Sequence, residues 1–296
     1  MKSPPGNIAF SYMLLTALAA IFGASFMLTK IAVAEVPPAT IVLVRLLVAS
    51  ACLFLVMAWA GQKFAPLLPF WKTIALAGLF GNALPFFLIA WGQGKVDAGL
   101  TAILMAVMPL ITIVLAHFFT GDERLNVFKI MGFVLGLIGV AVLIGFDKLA
   151  TLGDETVRQY AIMGGAFCYA VHAIISKQLT GLPRQSVSVA VLFVSAMMLL
   201  PISLLVDQPW NLDVSTQSIW VLLLLAVFPT AIGTLMLFAI VERQGAGFLS
   251  QINFLVPVFG VLWAIVFVDE TLPGNAKIAL LIILAGVAIS LSLIHI

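Results

Sequence analysis

Residues Ala98 to Phe119 read AGLTAILMAVMPLITIVLAHFF, and residues Ala246 to Phe267 read AGFLSQINFLVPVFGVLWAIVF. Set one above the other, they place Ala98 on Ala246, Gly99 on Gly247 and Pro109 on Pro257. Each run is long and apolar enough to cross about 30 Å of hydrocarbon as a helix, yet each carries a proline. Proline removes a backbone donor and crowds the preceding turn, so in lipid it persists only where other groups cover the freed carbonyl. The pair therefore points to a duplicated chain and to a protein-lined interior.

The remaining sequence agrees. Of 296 residues, 63% are hydrophobic and 9% charged, against roughly half apolar and a quarter charged in soluble domains. Apolar runs between charged or Pro/Gly punctuation predict spans at 8–29, 38–60, 72–92, 98–119 and 126–145, then at 159–178, 186–206, 217–240, 245–268 and 276–295. Ten spans of about 20 residues leave only short loops, too small for a soluble catalytic domain. The run from Ile8 looks like a signal sequence, but it is too long for a signal core and lacks a clear cleavage site, so it reads as the first span. Cys52 and Cys168 sit inside apolar runs and read as small buried hydrophobes, not as a disulfide or metal framework.

The duplication continues beyond the opening pair. GDERL from Gly121 faces VDETL from Val268, and GVAVLI from Gly139 faces GVAISL from Gly286. FGASFMLTK from Phe22 lies on YAVHAIISK from Tyr169, pairing Ser25 with His172, Thr29 with Ser176 and Lys30 with Lys177. The predicted fold is an all-α membrane protein of ten transmembrane helices, arranged as two five-helix inverted repeats around a central cavity. Residues 1–147 form one repeat and residues 148–296 the other. Because five is odd, the second repeat crosses the membrane in the opposite sense, about an axis in the membrane plane. With both termini in the cytoplasm, Lys2, Lys63, Lys72, Arg124, Lys129, Lys177, Arg184 and Arg243 fall inside. Lys30, Lys95, Lys148, Arg158 and Lys277 fall outside, which leaves a modest positive-inside excess.

A proline-bearing span, then GDERL or VDETL, then a glycine-rich span ending GVAVLI or GVAISL resembles the EamA repeat of the drug/metabolite transporter superfamily. The opening IFGASFMLTKIAV and PPATIVLVRLLVA are similar to its first two spans. The resemblance covers essentially the whole chain twice, and within the superfamily the chain looks most like YddG-type ten-span exporters of aromatic amino acids. Two departures stand out: Phe22 replaces the usual Trp before the first-span glycine, and Thr271 stands opposite Arg124. The resemblance implies a multi-pass protein of the bacterial inner membrane, exporting small amphiphilic metabolites, most of all aromatic or other neutral amino acids, by alternating access. It also implies a monomer with no cofactor, no metal and no nucleic-acid partner, in contact only with its small-molecule substrate and membrane lipid.

Polar residues inside spans are costly and face a bundle interior or water. Phe22, Ser25, Phe26 and Thr29 align on one helical face of the first span, and Asn82, Pro85, Phe86 and Ile89 do so on the third. Tyr169, His172 and Ser176 share a face in the sixth span, Thr230, Gly233, Thr234 and Leu237 in the eighth, and Ser250, Asn253, Phe254 and Pro257 in the ninth. Mixed aromatic and uncharged polar stripes suit a site that holds an apolar moiety and hydrogen-bonds its head group. Met105 and Met108 add an adaptable thioether wall. Pro85, Pro109, Pro229 and Pro257 occupy repeat-related places and read as hinges around the cavity. Arg45, about two turns into the second span, has two readings: a structural cation that snorkels or pairs, or a contact for a substrate carboxylate. Gly132, Gly136 and Gly139 in the fifth span, with Ala285, Gly286 and Ala288 in the tenth, predict close packing, which the resemblance assigns to a scaffold pair. His117 is expected at the interface.

No catalytic set emerges. The chain has no Walker A loop, HExxH motif or paired intramembrane carboxylates. Cys168 or Ser176 beside His172 is the only local nucleophile–base candidate, and it lacks an oxyanion donor or acid partner. The chain is therefore expected not to be an enzyme. A multidrug or toxic-compound exporter is the alternative within the superfamily, and a channel or intramembrane enzyme outside it. Glu35 and Asp97 fall at span ends, so no carboxylate proton relay is visible and facilitated efflux or exchange is expected.

Overall fold

The computed structural model describes residues 8–119, 126–144 and 153–291; GDERL, Lys2 and Lys148 lie outside these. Among the described residues every regular element is helical. In chain order they are α1 (Ile8–Ala32), α2 (Pro38–Trp59), α3 (Ala65–Gln93), α4 (Ala98–Phe119), α5 (Val127–Ile144), α6 (Asp154–Ser176), α7 (Arg184–Asp207), α8 (Thr216–Gln244), α9 (Gly247–Val268) and α10 (Gly274–Leu291). Eight of these segments are long and apolar enough to cross a membrane. The other two are α6, whose first turns carry charged residues, and α10, a shorter apolar helix.

Several helices begin on a group supplied from far along the chain. The first N–H groups of a helix have no partner within it and carry partial positive charge, so an acceptor there is stabilising. Asp207, at the end of α7, accepts from the Thr40 N–H (2.8 Å) and hydroxyl (2.9 Å) at the start of α2. Gln62, just after α2, answers by accepting from Ser186 N (3.4 Å) at the start of α7. Glu270 accepts from Ala98 N (2.8 Å) and Gly99 N (2.9 Å) and so finishes α4. Glu35 accepts from Ser215 N (3.0 Å) ahead of α8. Those Ser215 and Ser218 contacts hold its carboxyl below the usual carboxylate range.

Packing follows the same crosswise logic. α1 lies on α9 while α4 lies on α6, α3 contacts α6 while α1 contacts α8, and α2 pairs with α7 and α5 with α10. The α5–α10 contact is backbone to backbone. A Cβ on Gly286 would stand 2.7 Å from the Gly132 carbonyl oxygen, and one on Gly132 would meet Gly286 and Ser290. The expected small-residue packing is therefore present, and only glycine permits that approach.

The prolines sit near irregular helix. A π-helical turn at Leu79–Ala83 precedes Pro85, and another at Ala226–Ile232 contains Pro229. α4 is interrupted at Ala106 and Val107, just before Pro109, and α9 at Ser250 and Gln251, nearly two turns before Pro257. The π-helical turns and the break before Pro109 are the usual accommodations of a missing N–H, whereas the break in α9 lies upstream of the Asn253 carbonyl that Pro257 frees.

Candidate functional site

The helices enclose a central cavity of about 430 Å³. A larger space of about 580 Å³ lies along α2 and α7, lined by Leu47, Phe54, Phe64, Val189 and Phe193, and is apolar almost throughout. The chemistry is in the central cavity.

α1 contributes Phe22, Ser25, Phe26 and Thr29 to its wall. Two glycines make room for the rings: a Cβ on Gly233 would fall 2.6 Å from Phe22 Cε1, and one on Gly260 3.1 Å from Phe26 Cδ2. α3 contributes Asn82 and Phe86, α4 Met105, Met108 and Pro109, and α6 Tyr169 and His172. α8 brings Pro229, Thr230 and Thr234, and α9 brings Asn253 and Pro257. Phe86 and Tyr169 meet edge to face, with ring centroids 6.3 Å apart. The carboxamides of Asn82 and Asn253 and the hydroxyls of Ser25 and Tyr169 line the cavity without a hydrogen bond to the protein. Buried polar groups are ordinarily satisfied, so unspent donors and acceptors around a void are what a solute's head group requires.

His172 is more constrained. Its Nδ1 lies 3.1 Å from the Ala77 carbonyl oxygen and its Nε2 3.0 Å from Ser176 Oγ. A Cβ on Gly81 would collide with the imidazole.

Five residues of the predicted stripes do not reach the wall: Pro85, Ser176, Gly233, Ser250 and Phe254. The Ser176 hydroxyl donates to the His172 carbonyl one turn back (2.7 Å), a back-bond that closes the last turn of α6. Phe254 packs into the core formed by α4, α5 and α10. The interruption at Ser250 and Gln251 shifts the phase of α9, so Ile252 and Val256 join the predicted Asn253 and Pro257 at the cavity, while Ser250 and Phe254 turn away from it. Pro85 is buried within α3, while Phe86 and Asn82 carry the lining.

Among the described residues one charged side chain lines the cavity: Arg45, 7% exposed, with its guanidinium carbon 3.9 Å from the Phe86 ring centroid. Its Nε donates to Thr230 Oγ1 (2.8 Å), and that hydroxyl donates to the Leu225 carbonyl (2.9 Å). Leu225 is four residues before Pro229, so its carbonyl loses the ordinary α-helical donor; the i→i+5 pattern of the π-helical turn and the Thr230 hydroxyl cover it instead. Thr230 thus repairs the π-helical turn, and Arg45 holds Thr230. The acids lie elsewhere. Asp97 is 3.6 Å from Lys30 Nζ at the α1 and α4 ends, and Glu35 is at the start of α8. Lys30 also donates to the Gln93 (3.1 Å) and Val96 (3.0 Å) carbonyls, and buried Gln93 donates to the Phe26 carbonyl (2.9 Å). These bonds tie α1 to the end of α3 above the cavity wall. Among the described residues no group of His, Cys, Asp and Glu is placed to hold a metal.

A family model described as EamA-like transporter family matches residues 9–145 and again 159–292. The chain is 29% identical over 284 residues to a Salmonella typhimurium protein named "Probable amino-acid metabolite efflux pump", covering 91% of each chain. It is 23% identical over 268 residues to "Uncharacterized transporter YoaV" of Bacillus subtilis, covering 90% of this chain and 91% of that one. A solved structure described as "Crystal structure of protein" shares the fold, with a TM-score of 0.67 at 20% identity over 94% of this chain and 96% of the other.

Proposed function

The chain belongs to the EamA-like transporter family, and from that membership we propose that it exports small amphiphilic metabolites, foremost aromatic or other neutral amino acids, through the central cavity. It is a membrane transporter, not an enzyme. The observation that carries the substrate reading is the cavity wall, where aromatic rings stand beside carboxamides and hydroxyls that the protein leaves unbonded. Its volume, about 430 Å³, is in the range of about 300–1,000 Å³ usual for small-molecule sites. Phe22, Phe26, Phe86 and Tyr169 would hold the apolar moiety, and Ser25, Asn82, Thr230, Thr234 and Asn253 its head group. The name of the Salmonella relative supports the same class.

Alternating access would come from two inverted five-helix repeats, with α6 and α10 spanning as well and both termini in the cytoplasm of a bacterial inner membrane. Support comes from the crosswise packing: α1 on α9 and α4 on α6 exchange under the duplication, as do the caps Asp207 on α2 and Gln62 on α7. Pro109, beside its helix interruption, Pro257, nearly two turns beyond its own, and Pro85 and Pro229, beside their π-helical turns, would serve as hinges. Among the described residues no carboxylate lines the cavity, which favours facilitated efflux or exchange over proton coupling.

Counterflow of labelled phenylalanine, tyrosine and tryptophan in proteoliposomes tests the reading. Saturable flux is expected, reduced at least about tenfold in Asn82→Ala or Phe86→Ala protein that stays folded. Glu35→Gln and Asp97→Asn are expected to leave the flux within about twofold, with no requirement for a pH gradient. Absence of amino-acid flux in folded wild type, or flux indifferent to both cavity substitutions, would overturn it.

A further inference from the structure

The charge balance of the cavity allows a narrower statement, which rests on the transport reading above. Arg45 is more than nine-tenths buried and faces the void. Its guanidinium lies over the Phe86 ring and its Nε donates to Thr230. Nη1 and Nη2 make no hydrogen bond to the protein, and no carboxylate lies within 4.0 Å. The duplication does not repeat the charge. Placing Pro37 on Pro183 and Thr40 on Ser186 puts Val191 opposite Arg45, so among the described residues the cavity has a single fixed cation and no acid.

An arginine cannot shed its proton to escape such a site. Buried charges are otherwise paired or bound to a ligand, and an unpaired one is strongly disfavoured. The open Nη1–Nη2 edge is a planar fork that matches a carboxylate with two parallel hydrogen bonds. We propose that Arg45 seats a carboxylate of the transported solute, and that the cavity admits amphiphilic carboxylic acids while rejecting amines of the same shape. The rings beside Arg45 receive the apolar body. No acid awaits an ammonium group, so an amino substituent rests on neutral acceptors such as Asn82 and Asn253 and is dispensable for binding. The substrate class is the monocarboxylate with an aromatic or aliphatic tail, whether zwitterionic or anionic.

Three compounds of one shape separate the charges: L-phenylalanine, 3-phenylpropionate and 2-phenylethylamine, with hexanoate and hexylamine as an aliphatic pair. Binding of each labelled compound to purified protein in micelles is expected to favour the acids over the amines by at least about tenfold, the scale on which one misplaced charge is felt. That comparison needs only wild type. In folded Arg45→Gln the acid affinity should fall at least tenfold while the weak amine binding stays or improves, and Arg45→Lys should restore part of it.

Amines binding wild type as well as acids, an unchanged acid affinity in folded Arg45→Gln, or no binding by any of the carboxylates would each overturn the proposal. Phenylalanine flux in proteoliposomes combined with any of these outcomes leaves the exporter reading standing without it. Loss of all amino-acid flux overturns that reading itself.

Discussion

Replacing Thr230 by valine removes one hydroxyl with almost no change of shape, and the structure says what is lost. The bonds from Arg45 Nε to Thr230 Oγ1 (2.8 Å) and from that hydroxyl to the Leu225 carbonyl (2.9 Å) both disappear. In membrane interiors a side-chain hydrogen bond contributes about 0.6 kcal/mol on average and about 1.7 kcal/mol at most. Two of them bound the effect between about 1 and about 3 kcal/mol. Because one donor is ionised and both partners are buried, the expected loss is about 2 kcal/mol. Equilibrium unfolding in mixed micelles, followed by tryptophan fluorescence, measures it. The decisive variant is the double one: Pro229→Ala supplies an N–H four residues beyond Leu225, a donor for the carbonyl that Thr230 otherwise serves. Thr230→Val should therefore cost less, by about 0.5–1 kcal/mol, in the Pro229→Ala background than in wild type, a coupling that a double-mutant cycle resolves. A Thr230→Val protein within about 0.3 kcal/mol of wild type, or a cycle with no coupling, would refute the account of the π-helical turn.

Other outcomes follow from close approaches and from titration. Gly132→Ala drives a methyl into Gly286 and Ser290 and should lower stability by about 1–3 kcal/mol. Gly247→Ala, in helix with nothing within 4 Å of the added methyl, should be neutral or slightly stabilising, and equal melting temperatures for the two would contradict the α5–α10 geometry. Gly81→Ala should impair both folding and flux because the methyl meets His172, and adding His172→Ala should recover folding; failure of that rescue in thermal melts removes the contact from the account. Glu35 has a folded-state carboxyl pKa below its ordinary value, so its contribution is present above the unfolded pKa and disappears as pH falls through the folded one. Hydrogen exchange at Ser215 N, corrected for intrinsic rate, should therefore lose protection in acid. The same experiment on Glu35→Gln should show no such pH dependence.

Much of this architecture was legible in the sequence because duplication and proline are local signals. Pro109 lies beside one of the helix interruptions, and the stripes on the first, third, sixth and eighth spans supplied most of the cavity wall. Phe254 was misplaced because helical phase was counted through Ser250 and Gln251, where the helix is broken. Ser176 was misplaced because a serine near a helix end can bond its own backbone, which spacing does not reveal. Arg45 kept two readings for a different reason. What decides between them is the absence of a partner, and its neighbours Phe86 and Thr230 come from helices distant in the chain.

The caps described above bear on how the protein is made. The start of α2 is completed by Asp207 and the start of α4 by Glu270, both translated long after the helices they finish. Conversely, Gln62 and Glu35 emerge early and wait for α7 and the residues ahead of α8. During synthesis the amino-terminal half therefore enters the bilayer with open helix ends, and those ends close only when the carboxy-terminal half arrives. Neither half is a finished module. A chain cut between residues 147 and 148 would have to reassemble from its two pieces, each supplying the missing acceptors of the other, and an early-terminated chain would present frayed helices to quality-control proteases.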